Sequence, residues 1–205
     1  MAFSDLTVLS ELSKEKFIQA ILNEYKNNKD KISLNRAKEH MRLDLPVNNI
    51  FWKSNPDLLK YLQDNTFPKG VPFFMCTLKI YEKGQGMGLH MDHGFNKLFS
   101  EKIEYKPDEA EKNYDILKNY EYQEPVYTNS ILIDIDPNTV GGDLVFAGEG
   151  WPPPRSPINI RSLKNPGDKI WWDSTQVHGV TEIEKGYRLS LIVMKSKNGK
   201  ILDIK

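Results

Sequence analysis

The sequence predicts a mainly β protein, a jelly-roll-like double sheet preceded by an N-terminal helical layer. Three observations predict it. The first seventy residues carry a helical apolar period; at Val71 the texture changes to short β-branched and aromatic runs split by Gly, Pro, Asn and Asp; and eight such runs follow before the C-terminus.

In the helical preface, Leu12, Phe17, Ile18, Ile21 and Leu22 recur at spacings of three to five, and Ser13 is followed three residues on by Lys16 instead of the Glu of a capping box. A second helix is expected over Pro56 to Gln63, with Asn55 as cap, Pro56 at the first helical position and Leu58, Leu59 and Leu62 as its stripe. Strands are expected at Pro72 to Tyr81, Met87 to Met91, Tyr127 to Ile135, Asp143 to Ala147, Ile158 to Arg161, Lys169 to Trp172, His178 to Ile183 and Tyr187 to Met194. Asn198-Gly199 is a hairpin-turn signal near the end. The charged stretch from Gly94 to Pro125 is too long for an ordinary connection and reads as a lid insertion or as disorder. Prolines stiffen residues 151 to 157, WPPPRSP.

A chain of 205 residues fits one domain (1–205), with 1–70 as helical support and 71–205 as the β core. Lys and Arg total 28 and so do Asp and Glu, so no overall basic field exists to hold nucleic acid or an anionic membrane. Mean hydropathy is −0.55 and no apolar stretch reaches the roughly 18 to 20 residues of a membrane span. The start shows no basic head followed by an apolar block, so no secretory signal is read. One cysteine, Cys76, excludes an internal disulfide and a thiolate-rich zinc site and suits a reducing, cytoplasmic compartment.

Four histidines are present: His40, His90, His93 and His178. In GLHMDHG, His90 and Asp92 are two residues apart, and on a strand period two puts both side chains on one face. His178, in TQVHGV, is the remaining histidine flanked by strand pattern and turn residues. Two histidines and one carboxylate leave three positions open on a metal, the arrangement of non-haem Fe(II) oxygenases. The bland alternative is a chance HxD and a hydrogen-bonded histidine at a strand end. His93 points away from Asp92, and His40, in NRAKEHMR, reads as part of a solvated helical surface. Ten residues after His178 comes Arg188, which alternation places with Ser190 and Ile192 on one face, opposite Leu189, Leu191 and Val193. It is either a surface ion pair or a buried fork for a carboxylate.

Tyr81-x-x-Gly84-x-Gly86, HMD at 90 to 92, GGDLVF at 141 to 146, PGDKIWW at 166 to 172, VHGV at 177 to 180 and GYRLS at 186 to 190 together resemble the iron- and 2-oxoglutarate-dependent dioxygenases, and within them the prolyl-hydroxylase-like branch. The resemblance covers about residues 71 to 195 and implies a double-stranded β-helix of the jelly-roll, cupin-like kind. It implies that His90, Asp92 and His178 ligate Fe(II) and are catalytic, and that Arg188 anchors the distal carboxylate of 2-oxoglutarate. Tyr81, Ser190, Leu132 and Leu144 would line the cosubstrate pocket. The implied activity is an oxidoreductase that uses O2, with ascorbate as accessory, to hydroxylate an unactivated C–H while 2-oxoglutarate becomes succinate and CO2. The substrate implied is a prolyl or other side chain of a protein or peptide. Alternatives are a free amino acid or small metabolite as substrate, a catalytically silent jelly-roll module that keeps its metal, and a zinc hydrolase. Aligning SILIDID with the family puts Asp134 where animal oxygen-sensing relatives carry a cosubstrate-holding tyrosine, a place where an anion is unfavourable unless protonated or turned away. Gly141 and Gly142 are expected to allow a tight approach ahead of the strand bearing Leu144.

Overall fold

The computed structural model describes residues 3–35, 39–92, 126–147 and 159–199. Strand β1 (Thr7–Val8) leads to helix α1 (Lys14–Asn27), then β2 (Ser33–Leu34), β3 (Met41–Asp44), α2 (Ile50–Ser54) and α3 (Pro56–Asn65). The remaining elements are β4 (Phe73–Glu82), β5 (Met87–His90), β6 (Val126–Ile135), β7 (Val140–Gly141), β8 (Leu144–Phe146), β9 (Asn159–Arg161), β10 (Asp168–Asp173), β11 (His178–Val180), β12 (Ile183–Lys185) and β13 (Tyr187–Ser196). The expected strands are therefore present, with one divided: His178 to Ile183 breaks into β11 and β12, which belong to different sheets. The preface is less helical than its period suggests, because β1, β2 and β3 all join the large sheet. Residues 93–125 and 148–158, which include His93, the expected lid and WPPPRSP, lie outside the described residues.

A seven-stranded sheet runs β1-β10-β6-β13-β4-β3-β2, a four-stranded sheet β5-β11-β8-β9, and β12 pairs with β7, every pairing antiparallel. Strand alternation gives the large sheet two apolar faces. Cys76, Leu78 and Ile80 of β4, Ile131 and Ile133 of β6, and Leu189, Leu191 and Val193 of β13 pack with Phe17 and Ile21 of α1, Trp52 of α2 and Leu58 and Leu62 of α3. On the other face, Tyr81, Leu132, Ile170 and Trp172 meet Leu144, Phe146 and Val180 of the small sheet. The first cluster is the helix-to-sheet core, and the second fills the space between the sheets.

Local details depart from the expected caps. Asn55 stands at the start of α3, but its side-chain amide donates to the Phe51 carbonyl at 2.8 Å, closing α2 instead of capping α3. Ser13 starts α1 with φ 73° and no side-chain cap. The end of α3 is served from afar: the fully buried Lys195 of β13 donates to the carbonyls of Gln63, Thr66 and Pro68 at 2.8, 3.0 and 2.9 Å. A cation thereby meets the carbonyl-rich end of a helix. Cys76 is buried, and burial pushes its thiol well above the ordinary value. The Asn198-Gly199 turn forms, with the Gly199 amide donating to Ser196 at 3.3 Å. Among the described residues no helix is long and apolar enough to cross a membrane.

Gly141 has φ +83°, and a Cβ there would lie 1.9 Å from the Glu182 carbonyl oxygen, so β7 can approach β12 only without a side chain. Gly84 has a similar φ of +81° but open space around it. Gly84→Ala is therefore expected to cost about 1–2 kcal/mol from backbone strain alone, and Gly141→Ala clearly more, in urea unfolding of the two variants. Equal costs would show that the approach of β7 to β12 is not tight.

Candidate metal centre

The site is built where the small sheet ends. Antiparallel pairing of β5 with β11 sets His178 opposite His90, so their rings stand side by side, centroids 4.2 Å apart. The strands come this close because residue 179 is glycine; a Cβ there would meet the Met87 carbonyl at 2.7 Å. Asp92, two residues past His90, turns its carboxylate to both rings, with Oδ1 3.7 Å from His90 Nε2 and Oδ2 3.5 Å from His178 Nε2. The three potential ligand atoms lie within 4.8 Å of one another.

Partners outside the trio hold each donor. His90 Nδ1 lies 2.9 Å from the Gly88 carbonyl and His178 Nδ1 2.9 Å from the Gln176 carbonyl. A carbonyl can only accept, so each Nδ1 carries the hydrogen and each Nε2 turns a lone pair inward. Asp92 Oδ2 accepts from the Thr128 hydroxyl at 2.6 Å and the Trp172 indole N–H at 3.1 Å. Burial, with His178 alongside, pushes His90 down to about 3, and burial lowers His178 as well. Burial works against ionisation of Asp92, yet the two imidazoles and Thr128 hold it below the ordinary carboxylate value. Two neutral imidazoles and one carboxylate are the protonation states a divalent metal needs. His90 Nε2 is buried with no hydrogen-bond partner, an unmet acceptor that a cation would satisfy.

The facing wall comes from the large sheet. Arg188 is 2% exposed; its Nε donates to Ser190 Oγ at 2.8 Å and its Nη1 to the Gly142 carbonyl. Arg188 is buried, and among the described residues no carboxylate lies within ion-pair distance of it, although Asp143 is near enough to favour its charge, so the surface ion-pair alternative fails. Tyr81, opposite Arg188 in the β4–β13 register, is buried and close enough to feel the charges of both Arg188 and Asp92. Leu132 and Leu144 are buried in the same inter-sheet cluster. The eight residues given metal or cosubstrate roles by the resemblance thus come from the facing strands of the two sheets and, for Asp92, from the chain just past β5.

Asp134 does not. A β-bulge where β6 pairs with β13 shifts the register between Leu189 and Ser190, so alternation from Leu132 is interrupted. Ile135 packs against the inner cluster, and Asp134 accepts a hydrogen bond from the Tyr187 hydroxyl at 2.7 Å on the outside. His40 also departs from expectation. It is 4% exposed, just ahead of β3, with its ring 5.2 Å from that of Tyr81 and its Nδ1 unpartnered. Its charged neighbours in sequence hid this. Thr128 and Trp172 were legible in principle: Thr128 shares parity with Leu132, and Trp172 closes the PGDKIWW run.

No family model and no curated protein matches the sequence. Solved structures do match. A Pseudomonas putida prolyl-4-hydroxylase superposes with TM-score 0.55 at 13% identity over 96% of this chain and 93% of its own. A prolyl hydroxylase from Trichoplax adhaerens gives 0.54 at 12% over 100% and 88%. An oxidoreductase of the 2OG-Fe(II) oxygenase family from Burkholderia pseudomallei gives 0.53 at 14% over 85% and 78%. The fold is the double-stranded β-helix of these oxygenases. In that double-stranded β-helix the candidate ligands sit on the small sheet and its exit, and the buried arginine on the large one.

Burial holds His40 down to about 3, against 6.5 when exposed, so the unfolded chain binds the extra proton between those values. Stability therefore falls as pH drops from 6.5 towards 3, by up to about 1.4 kcal/mol per pH unit for each such histidine. Urea unfolding from pH 6.5 to 4 should show a slope lowered by up to one proton in His40→Gln. An unchanged slope would mean that His40 charges freely in the folded protein.

Proposed function

We propose that the chain is an Fe(II)- and 2-oxoglutarate-dependent oxygenase that hydroxylates an unactivated C–H bond. One observation carries the reading: His90, Asp92 and His178 converge with inward lone pairs, and the facing sheet holds a buried arginine that, among the described residues, has no carboxylate within ion-pair distance. His90, Asp92 and His178 would hold iron, leaving open positions for a chelating keto acid and dioxygen, and the bound iron would supply oxygen activation coupled to loss of CO2 from the keto acid. Arg188, steered by Ser190 and the Gly142 carbonyl, offers its remaining N–H groups to the distal carboxylate. Thr128 and Trp172 fix the Asp92 carboxylate and thereby the direction of the metal. Leu132, Leu144, Phe146 and Trp172 keep water from the reacting carbon.

For the substrate we favour a prolyl or other side chain of a protein or peptide. Support comes from the structural neighbours described as prolyl hydroxylases, one of them in complex with a peptide fragment of the hypoxia inducible factor oxygen degradation domain.

Anaerobic addition of Fe(II) and then 2-oxoglutarate should produce a weak visible metal-to-ligand charge-transfer band, absent in His178→Ala, which also forms no succinate in air. Fully metallated protein without a band would sink the reading in favour of a metal-keeping binding module or a zinc site. Arg188→Met should weaken 2-oxoglutarate by about 2–5 kcal/mol, roughly 30-fold or more, in calorimetric titration of the manganese-loaded protein. Equal affinity would remove Arg188 from the pocket's chemistry.

A further inference from the structure

Two lysines of the large sheet, Lys195 buried and Lys79 half-buried, make a telling contrast. Lys195 gives its ammonium to three backbone carbonyls and is fully used. Lys79 of β4 is not: its recorded partner is the Met87 thioether, Sδ at 3.4 Å, a weak acceptor, and among the described residues no carboxylate lies within ion-pair distance. The Tyr81 hydroxyl points to the same sulfur, at 3.5 Å. Two good donors converge on a place that, among the described residues, holds no better acceptor than this sulfur.

The position of that place follows from register. Period two along β4 puts Lys79 and Tyr81 on one face, and β13 sets Tyr81 opposite Arg188 and Lys79 opposite Ser190. Lys79 and Arg188 are therefore diagonal neighbours across one strand pair, roughly 7–8 Å apart at the backbone. Burial disfavours the Lys79 charge, Asp92 and Glu39 favour it, and Arg42 and Arg188 add repulsion. Lys79 and Arg188 repel each other across the strand pair, and among the described residues neither has a carboxylate within ion-pair distance, although Asp92 and Glu39 are near enough to favour the Lys79 charge. Beside them lies the buried, unpartnered Nδ1 of His40, whose ring packs on Tyr81.

We propose that Lys79, with the Tyr81 hydroxyl, forms a second anion-binding arm of the cavity, separate from Arg188, and that it takes a carboxylate. This rests on the proposed oxygenase chemistry for one of its two sources: the carboxylate belongs either to the metal-proximal end of the keto acid or to an acid group on the molecule that is hydroxylated. A side-chain amine on this wall would then help to orient whichever acid enters, and the thioether of Met87 marks where that acid sits.

Two readouts on the full chain decide it. The first is calorimetric affinity of the manganese-loaded protein for 2-oxoglutarate in wild type, Lys79→Met and Lys79→Arg. The second is titration with sodium acetate, with and without 2-oxoglutarate, followed by the 13C-methyl resonance of Met87. A tenfold or greater loss of 2-oxoglutarate affinity in Lys79→Met, kept within threefold by Lys79→Arg, assigns the arm to the keto acid. Unchanged 2-oxoglutarate affinity, with a saturable acetate shift at Met87 that Lys79→Met abolishes, assigns it to an acid on the substrate. The absence of both effects overturns the proposal. Should Lys79→Met not fold, Lys79→Gln is read the same way. If wild type binds no 2-oxoglutarate, the oxygenase reading fails by itself, while the acetate shift in the protein alone still decides the role of Lys79.

Discussion

The pairing of His90 with His178 across β5 and β11 is the constraint on which the site depends. It sets two imidazoles 4.2 Å apart, and Gly179 is what lets the two strands come that close. Each ring is then turned by a backbone carbonyl, Gly88 for one and Gln176 for the other. Asp92 needs only two further residues of extended chain to reach both, and Thr128 and Trp172 of the opposite sheet hold it there. The small sheet thus supplies the candidate ligands, and the large sheet keeps the carboxylate aimed.

On the large sheet the governing physics is charge burial. An arginine at 2% exposure with no carboxylate in ion-pair contact among the described residues is costly, and its hydrogen bonds to Ser190 and Gly142 offset part of that cost. The helices on the far side of the sheet make this tolerable by burying Leu189, Leu191 and Val193, the opposite face of the strand that carries the arginine.

Much of this was legible in the chain because period two is a strict rule on long strands. It placed Arg188 and Ser190 on one face of β13 and His90 with Asp92 at the end of β5, and the motif order suggested which residues would meet. What escaped did so for local reasons. A bulge broke the alternation of β6 and sent Asp134 outwards, and no composition signal announces a bulge. Asn55 was spent on closing α2, a competition between two helices that neither reveals alone. His40 was buried by a hairpin that joins the sheet edge through two- and four-residue strands, too short to show a period, while its charged neighbours suggested solvent. Lys79 shared parity with Tyr81 and was readable, but a lysine inside a strand is ordinarily taken for its solvated side.

The three-carbonyl clasp of Lys195 has a consequence for how this scaffold can diversify. Strand β13 is pinned to the end of α3 at one extremity and zipped between β4 and β6 along its length, so the arginine it carries near the other extremity has little room to drift. The edge hairpin of β2 and β3, by contrast, rests on one neighbour only and brings His40 against Tyr81. Evolutionary change can therefore accumulate on that margin while sparing the rigid spine that carries the arginine.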